Sequence, residues 1–123
     1  METGAHTRVM IVEDGAEFQE VLRLTLSIES GMQIAHTSTS GEEAVEAFAR
    51  VAPDLVIVDF RLRGIDGLET AKKMKAQRPD VKIVMVTGSE EDVLTERAQA
   101  ATILGVIPKS DFSLERLRKL LKQ

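Results

Sequence analysis

One short segment, Asp54-Leu-Val-Ile-Val-Asp59, constrains the fold of this chain most strongly. Its four central residues are aliphatic and mostly β-branched, a pattern typical of a strand buried on both faces of a parallel sheet. The strand ends abruptly in a carboxylate. Because ligands of open α/β sheets bind beyond the carboxyl ends of the strands, Asp59 is predicted to lie at the functional edge of the sheet.

The rest of the chain alternates between apolar strands and amphipathic helices. Further strands are predicted at 8–12, 32–37, 81–86 and 103–107. Helices are predicted from Phe18 to the stop signal at Gly31 (with apolar residues at Val21, Leu22, Thr25 and Ile28), after the capping box at 40–43, over 68–77, from Ser89 through Ala101, and over about 113–122. Five β-α units predict a doubly wound parallel sheet of the flavodoxin-like (βα)5 type, with strand order 2-1-3-4-5.

Composition narrows the class of protein. Residues 1–7 lack periodicity and are predicted to be a flexible tail, and residues 8–123 a single domain. The absence of Cys excludes disulfides and thiolate metal sites, and no apolar run approaches the roughly 20 residues needed to cross a bilayer. We therefore expect a cytoplasmic protein. A net charge of −4 and the lack of Trp and Tyr argue against direct binding of nucleic acid.

Acidic residues follow the two strands that are predicted to be central neighbours. Strand 1 ends at Glu13-Asp14 and strand 3 ends at Asp59. Neighbouring strands lie about 5 Å apart, so these carboxylates should converge and repel one another unless a cation is bound. Mg²⁺ prefers such oxygen ligands. The ion would also neutralise an incoming phosphoryl group and let Asp59 attack it.

Two more polar side chains lie at the carboxyl ends of strands 4 and 5. Lys109 follows strand 5 and is expected to pair with a phosphate oxygen or with Asp59. The Thr87 hydroxyl, at the end of strand 4, is expected to donate to another oxygen. Together with the acidic residues and their cation, these side chains could stabilise the negative charges that develop during phosphoryl transfer.

Each of these residues also has an ordinary structural explanation. Asp14-Gly-Ala-Glu17 fits a capping box, so Asp14 alone is more often a helix cap than a metal ligand. Asp59 can cap loop amides, and Lys109 taken alone is an exposed lysine. Gly64 and Gly67 are expected to serve loop geometry. The coincidence of four polar strand ends favours a shared site.

At these positions the sequence resembles the receiver domain of bacterial two-component response regulators. The resemblance spans about 8–121 and is carried by Val-Glu-Asp at 12–14, Val-Asp-Phe-Arg-Leu at 58–62, Gly-Ile-Asp-Gly-Leu-Glu at 64–69, Val-Thr-Gly at 86–88 and Pro-Lys at 108–109.

The resemblance implies a role for each residue. Asp59 would accept phosphate from a phosphohistidine on a histidine kinase or phosphotransfer protein. Mg²⁺ would be bound by Asp14 directly, by Glu13 mostly through water, by Asp59 and by the main-chain carbonyl of Arg61. Thr87 would move toward the acyl phosphate, and Lys109 would form a salt bridge with it.

The function that the resemblance implies is a signalling switch, not an enzyme, with at most slow self-dephosphorylation. Phosphorylation would change the surface around the fourth predicted helix, the fifth strand and the fifth helix. That surface is expected to bind an output domain or a partner protein, or to form a phosphorylation-dependent homodimer.

Three positions depart from the family pattern, and two alternative functions remain. Val106 stands where receivers usually carry an aromatic residue, Ser110 where many have Pro after the lysine, and Arg63 where Pro is frequent. Val106 slightly favours a phosphorylation-independent interaction module. The other alternative is a Mg²⁺-dependent phosphatase of the haloacid dehalogenase type. It is disfavoured because Arg61 occupies the position of the second Asp that such enzymes use.

Overall fold

The computed structural model describes residues 6–88, 97 and 101–122. Its strands are β1 (Thr7–Val12), β2 (Met32–Ser38), β3 (Leu55–Asp59), β4 (Lys82–Thr87) and β5 (Gly105–Pro108). All neighbouring pairs are parallel, and the order is β2-β1-β3-β4-β5. The predicted flavodoxin-like sheet is confirmed.

Four α-helices lie within the described residues: α1 (Ala16–Ser27), α2 (Gly41–Val51), α3 (Gly67–Gln77) and α4 (Leu114–Leu121). A 3₁₀ turn, Lys109–Asp111, links β5 to α4. The helix predicted to begin at Ser89 lies outside the described residues, apart from Arg97 and Ala101. None of the described helices combines the length and apolar character needed to cross a membrane.

The central strand β3 is buried along its whole length because helices cover both faces of the sheet. Alternate residues of β3 enter two separate cores. Val56 and Val58 pack in the core that includes Phe48 of α2 and Met74 of α3. Leu55 and Ile57 pack in the other core, which includes these residues of α1 and α4: Leu22, Leu26, Leu117. This two-sided burial holds the end of β3 rigidly in the middle of the sheet.

Helix α2 begins at the predicted capping box. The Ser40 hydroxyl accepts a hydrogen bond from the Glu43 amide at 3.1 Å, and the Glu43 carboxylate accepts one from the Thr39 amide at 2.9 Å. Helix α3 begins in a similar way, since Asp66 accepts a hydrogen bond from the Glu69 amide at 2.9 Å. Side-chain caps therefore fix the start of both helices that follow β2 and β3.

The inward face of α1 differs from the apolar spacing that predicted the helix. Val21 and Ile28 are 43% and 76% exposed, whereas the buried residues are Leu22 and Leu26. The helix carries apolar residues on two faces, and packing against the sheet selects the face that contains Leu22 and Leu26.

The predicted β5 was also misplaced at its start, because pairing with β4 begins at Gly105 rather than at 103.

Candidate functional site

Three carboxylates meet at the carboxyl edge of the sheet. Val12 lies opposite Val58 in the β1–β3 pair, so the residues that follow Val12 emerge beside the end of β3. One carboxylate oxygen from each of Glu13, Asp14 and Asp59 lies within 4.8 Å of the others. Glu13 and Asp59 are only 1% and 4% exposed, and Asp14 is half-buried. The cluster is therefore enclosed on the sheet side and open at Asp14.

Asp14 does not cap α1, so the capping interpretation was wrong. Gly15 occupies the N-cap position, and no side chain caps the helix there. The Gly15 amide instead donates a hydrogen bond to Oε2 of Glu13 at 3.0 Å. The local turn thus holds Glu13 in place and leaves the Asp14 carboxylate in the cluster.

Lys109 supplies the positive charge of the site. Its Nζ lies 3.2 Å from Oδ2 of Asp59 and 3.1 Å from each carboxylate oxygen of Glu13. Burial lowers the pKa of Lys109, but the hydrogen bond with Glu13 and the charge of Asp59 outweigh it and raise the pKa above its usual value. The interpretation of Lys109 as an ordinary exposed lysine was therefore wrong.

The site still carries more negative than positive charge. Burial, reinforced by the charge of Asp59, raises the pKa of Glu13 even though Lys109 and the Gly15 amide act in the opposite direction. Oε1 of Glu13 is buried and forms an ion pair with Nζ of Lys109 at 3.1 Å, but it accepts no well-directed hydrogen bond from the described residues. Three carboxylates with one oxygen each within 4.8 Å of the others fit a hard cation, so the cluster is able to hold a metal ion.

The loop after Asp59 is closed tightly against the strand end. The Arg61 amide donates a hydrogen bond to Oδ1 of Asp59 at 3.3 Å. Asp59 therefore also caps a loop amide, as its structural interpretation predicted. A Cβ at Gly67 would lie 2.3 Å from the Asp59 carbonyl oxygen, and Gly64 has a φ of +76°. Both glycines therefore serve loop geometry, as predicted.

Thr87 lies at the same edge, on the next strand. Asp59 pairs with Val86 in the β3–β4 register, and Thr87 is the next residue of β4. Thr87 is 1% exposed. Val106, at the position where an aromatic ring is usual, is half-buried and packs against the core cluster that includes Val58.

Two phenylalanines near the site were missed by the sequence analysis. Nζ of Lys109 lies 4.9 Å from the centroid of the Phe18 ring. Phe18 in turn meets Phe112 edge to face, with centroids 6.0 Å apart and an interplanar angle of 82°. The only signal available in the sequence was the position of Phe18, four residues after Asp14 in the first turn of α1.

Comparisons with known proteins agree with this geometry. The family model described as "Response regulator receiver domain" matches residues 9–122. Response regulator GacA of Pseudomonas viridiflava is 33% identical over 102 residues, which are 83% of this chain and 48% of that protein. A protein-glutamate methylesterase/protein-glutamine glutaminase of Myxococcus xanthus is 30% identical over 92% of this chain and 33% of its own length. The chain thus spans half or less of these curated relatives.

A solved structure of comparable length is also similar. The signal receiver domain of a modulated diguanylate cyclase from Desulfovibrio desulfuricans G20 has a TM-score of 0.82 and 30% sequence identity. The alignment covers 95% of this chain and 91% of that one. Sheet order, strand-end residues and sequence similarity lead to one conclusion: this chain belongs to the response regulator receiver domain family.

Proposed function

We propose that this domain is a phosphorylation-controlled switch in which Asp59 accepts a phosphoryl group from a phosphohistidine of a histidine kinase or histidine phosphotransfer protein. The observation that carries the proposal is the contact of Lys109 with both Asp59 and Glu13 beside Asp14. A nucleophilic carboxylate, a cation-binding cluster and a fixed ammonium group are the parts that phosphoryl transfer to a carboxylate needs.

The acidic residues fit Mg²⁺. Asp14 and Asp59 would bind the ion directly, Glu13 mostly through water, and the main-chain carbonyl of Arg61 would complete the protein ligands. When bound, magnesium supplies positive charge that offsets the charge of the phosphoryl oxygens. The half-buried position of Asp14 leaves an approach to the cluster from solvent.

The chain's own residues account for the rest of the transfer. An oxygen of Asp59 attacks phosphorus as the bond to the donor imidazole breaks. Lys109, already 3.2 Å from Asp59, pairs with a phosphoryl oxygen, and the Thr87 hydroxyl donates to another. The chain then remains phosphorylated until slow hydrolysis, so it is a phosphoacceptor and not an enzyme with turnover.

The new charge on Asp59 would be transmitted through Thr87 and Lys109. Both residues adjoin β5, since Thr87 pairs with Pro108 and Lys109 follows it. Their movement would shift the equilibrium between conformations of the surface formed by β5 and α4. That surface would bind an output domain, a partner protein or a second receiver. As a partner of histidine kinases, the domain would act in the cytoplasm.

Acetyl phosphate tests this proposal without a cognate kinase. With Mg²⁺, the wild-type chain should gain the mass of one phosphoryl group, and Asp59→Asn should gain none. Asp80→Asn is a matched control because Asp80 is an exposed aspartate outside the site. No mass gain in the wild type, or an undiminished gain in Asp59→Asn, would contradict the proposal.

The second candidate function is a constitutive interaction module, which Val106 favours. Because valine has no aromatic ring, the coupled movement of hydroxyl and ring that is usual in the family cannot occur in its usual form here. Partner affinity measured with and without beryllofluoride separates the two functions. Equal affinities support the constitutive module, and different affinities support the switch.

A further inference from the structure

We propose that Phe18 is a positioning residue for Lys109: the face of its ring holds the ammonium group against Asp59 and Glu13, and Phe112 holds the ring. This inference rests on the proposed function, because its consequence is a better-placed ammonium group for the phosphoryl oxygens on Asp59. In this role the ring places the ammonium group and takes no part in metal binding or phosphoryl transfer.

The ammonium group of Lys109 is enclosed by charged and aromatic side chains. Nζ of Lys109 has two anionic neighbours, Glu13 at 3.1 Å and Asp59 at 3.2 Å. The Phe18 ring centroid lies 4.9 Å from the same nitrogen, inside the roughly 6 Å within which a cation is attracted to a ring face. The Lys109 side chain is only 26% exposed. Carboxylates and a ring together therefore replace most of the water around this charge.

The Phe18 ring is itself held by Phe112. Phe112 meets Phe18 at 82°, the edge-to-face geometry that aromatic pairs prefer. Phe112 also ends the 3₁₀ turn that Lys109 begins, and its amide lies 3.3 Å from the Lys109 carbonyl oxygen. Both rings pack against the core cluster that contains Leu22 and Leu117. The ring that contacts the lysine is thus tied to the turn that carries the lysine.

The ring restricts the positions that the ammonium group of Lys109 can occupy. A lysine side chain is a flexible four-carbon chain, so its ammonium group is mobile unless neighbouring side chains restrict it. With the ring on one side, Nζ of Lys109 contacts the carboxylates of Asp59 and Glu13. When Asp59 carries a phosphoryl group, the ammonium group is already beside it. Loss of the ring's attraction should weaken this contact about three- to tenfold, the range expected for a partly desolvated cation–π contact.

Fluorination of one ring tests the proposal, because fluorine weakens the attraction of the ring face for a cation with little change of shape. Trifluorophenylalanine and pentafluorophenylalanine are introduced at position 18 by amber suppression. The matched control places them at Phe48, which lies in the other core with the Arg78 guanidinium 5.3 Å from its centroid. Beryllofluoride affinity at a fixed Mg²⁺ concentration is measured by fluorine NMR. A second readout, in metal-free protein, is the ring-current shift of the Lys109 ε-methylene protons.

The expected result is a stepwise loss of beryllofluoride affinity with fluorination at Phe18, with no loss at Phe48. Phe18→Tyr should bind like the wild type, and Phe18→Leu should resemble the pentafluoro variant and lose the ring-current shift. Unchanged affinity across the fluorinated Phe18 series, or an equal loss at Phe48, would overturn the inference while leaving the proposed function intact. A wild-type chain that does not bind beryllofluoride would instead refute the proposed function.

Discussion

The ammonium nitrogen of Lys109 lies 3.2 Å from Oδ2 of Asp59, although 50 positions separate the two residues in the chain. The contact arises because β3 and β5 flank β4 on either side, so both strand ends reach the same edge. The same nitrogen contacts Glu13, which follows β1. One lysine therefore links the ends of three strands, and its charge offsets only part of the carboxylate charge gathered there.

Removal of this ammonium group should destabilise the metal-free fold. Lys109→Met leaves Glu13 and Asp59 buried without their cation, which should lower the free energy of unfolding by about 1–3 kcal/mol. Urea denaturation in EDTA measures the change. Saturating Mg²⁺ should restore part of the loss, because a bound ion replaces the missing charge and stabilises the folded state by mass action.

Lys73→Met is the control for that measurement. Lys73 and Glu69 form an exposed i,i+4 pair at 3.7 Å, and such pairs contribute about 0.3–0.5 kcal/mol. A Lys109→Met variant as stable as Lys73→Met would show that the strand-end ion pairs contribute little to the fold.

Glu13→Gln should make the metal-free protein more stable at neutral pH. The pKa of Glu13 is raised in the folded state by burial and by Asp59, so the folded chain favours the protonated form. The stability that this group contributes is present below its ordinary pKa and is lost as the pH rises through the folded pKa. The neutral amide avoids that loss. The advantage of Glu13→Gln should therefore appear above about pH 4.5 and vanish below it.

Denaturation midpoints from pH 4 to pH 8 in EDTA check this prediction. A variant that is less stable than the wild type at pH 7 would mean that the contact with Lys109 outweighs the burial of the Glu13 carboxylate.

Gly67→Ala should destabilise the fold and disturb the loop after Asp59. Its Cβ would lie 2.3 Å from the Asp59 carbonyl oxygen, so the start of α3 must move away from β3. Crowding of this kind costs about 1–3 kcal/mol. Gly88→Ala is the matched control, since a Cβ there meets no atom of the described residues within 4 Å. Thermal denaturation of both variants should show a clear loss for the first alone, and equal losses would contradict the tight fit of the loop.

Leu22→Ala and Val21→Ala compare the two apolar faces of α1. Leu22 is fully buried, and its truncation should cost about 2–5 kcal/mol. Val21 is 43% exposed, and its truncation should change stability by less than about 0.5 kcal/mol. Urea denaturation distinguishes them. A larger loss for Val21→Ala would mean that α1 turns its other face to the sheet.

Much of the fold could be predicted because the strands are distinct. The run from Leu55 to Val58 is uninterrupted and aliphatic, so its burial on both faces followed from its composition. Four other strand–helix alternations then left few topologies for a parallel sheet. The polar residues at the strand ends predicted the convergence of Glu13, Asp14 and Asp59 because parallel strands end at one edge.

Other features depend on contacts that a linear pattern does not encode. Helix α1 has apolar residues on two faces, and packing against the sheet determines that Leu22 is buried and Val21 is exposed. Asp14 fits a capping box, but the chain places Gly15 at the N-cap instead. The contact between Phe18 and Lys109 joins residues 91 positions apart, and neither residue type predicts the other.

The most direct test of the account is beryllofluoride binding, because it requires the carboxylate cluster, the bound cation and Lys109 together. Fluorine NMR of the wild-type chain with beryllofluoride should show a bound signal in Mg²⁺ that disappears in EDTA. Asp59→Asn and Asp14→Asn should lose that signal, whereas Asp80→Asn should keep it. A bound signal that persists in EDTA or in Asp59→Asn, or no bound signal in the wild type with Mg²⁺, would contradict the account.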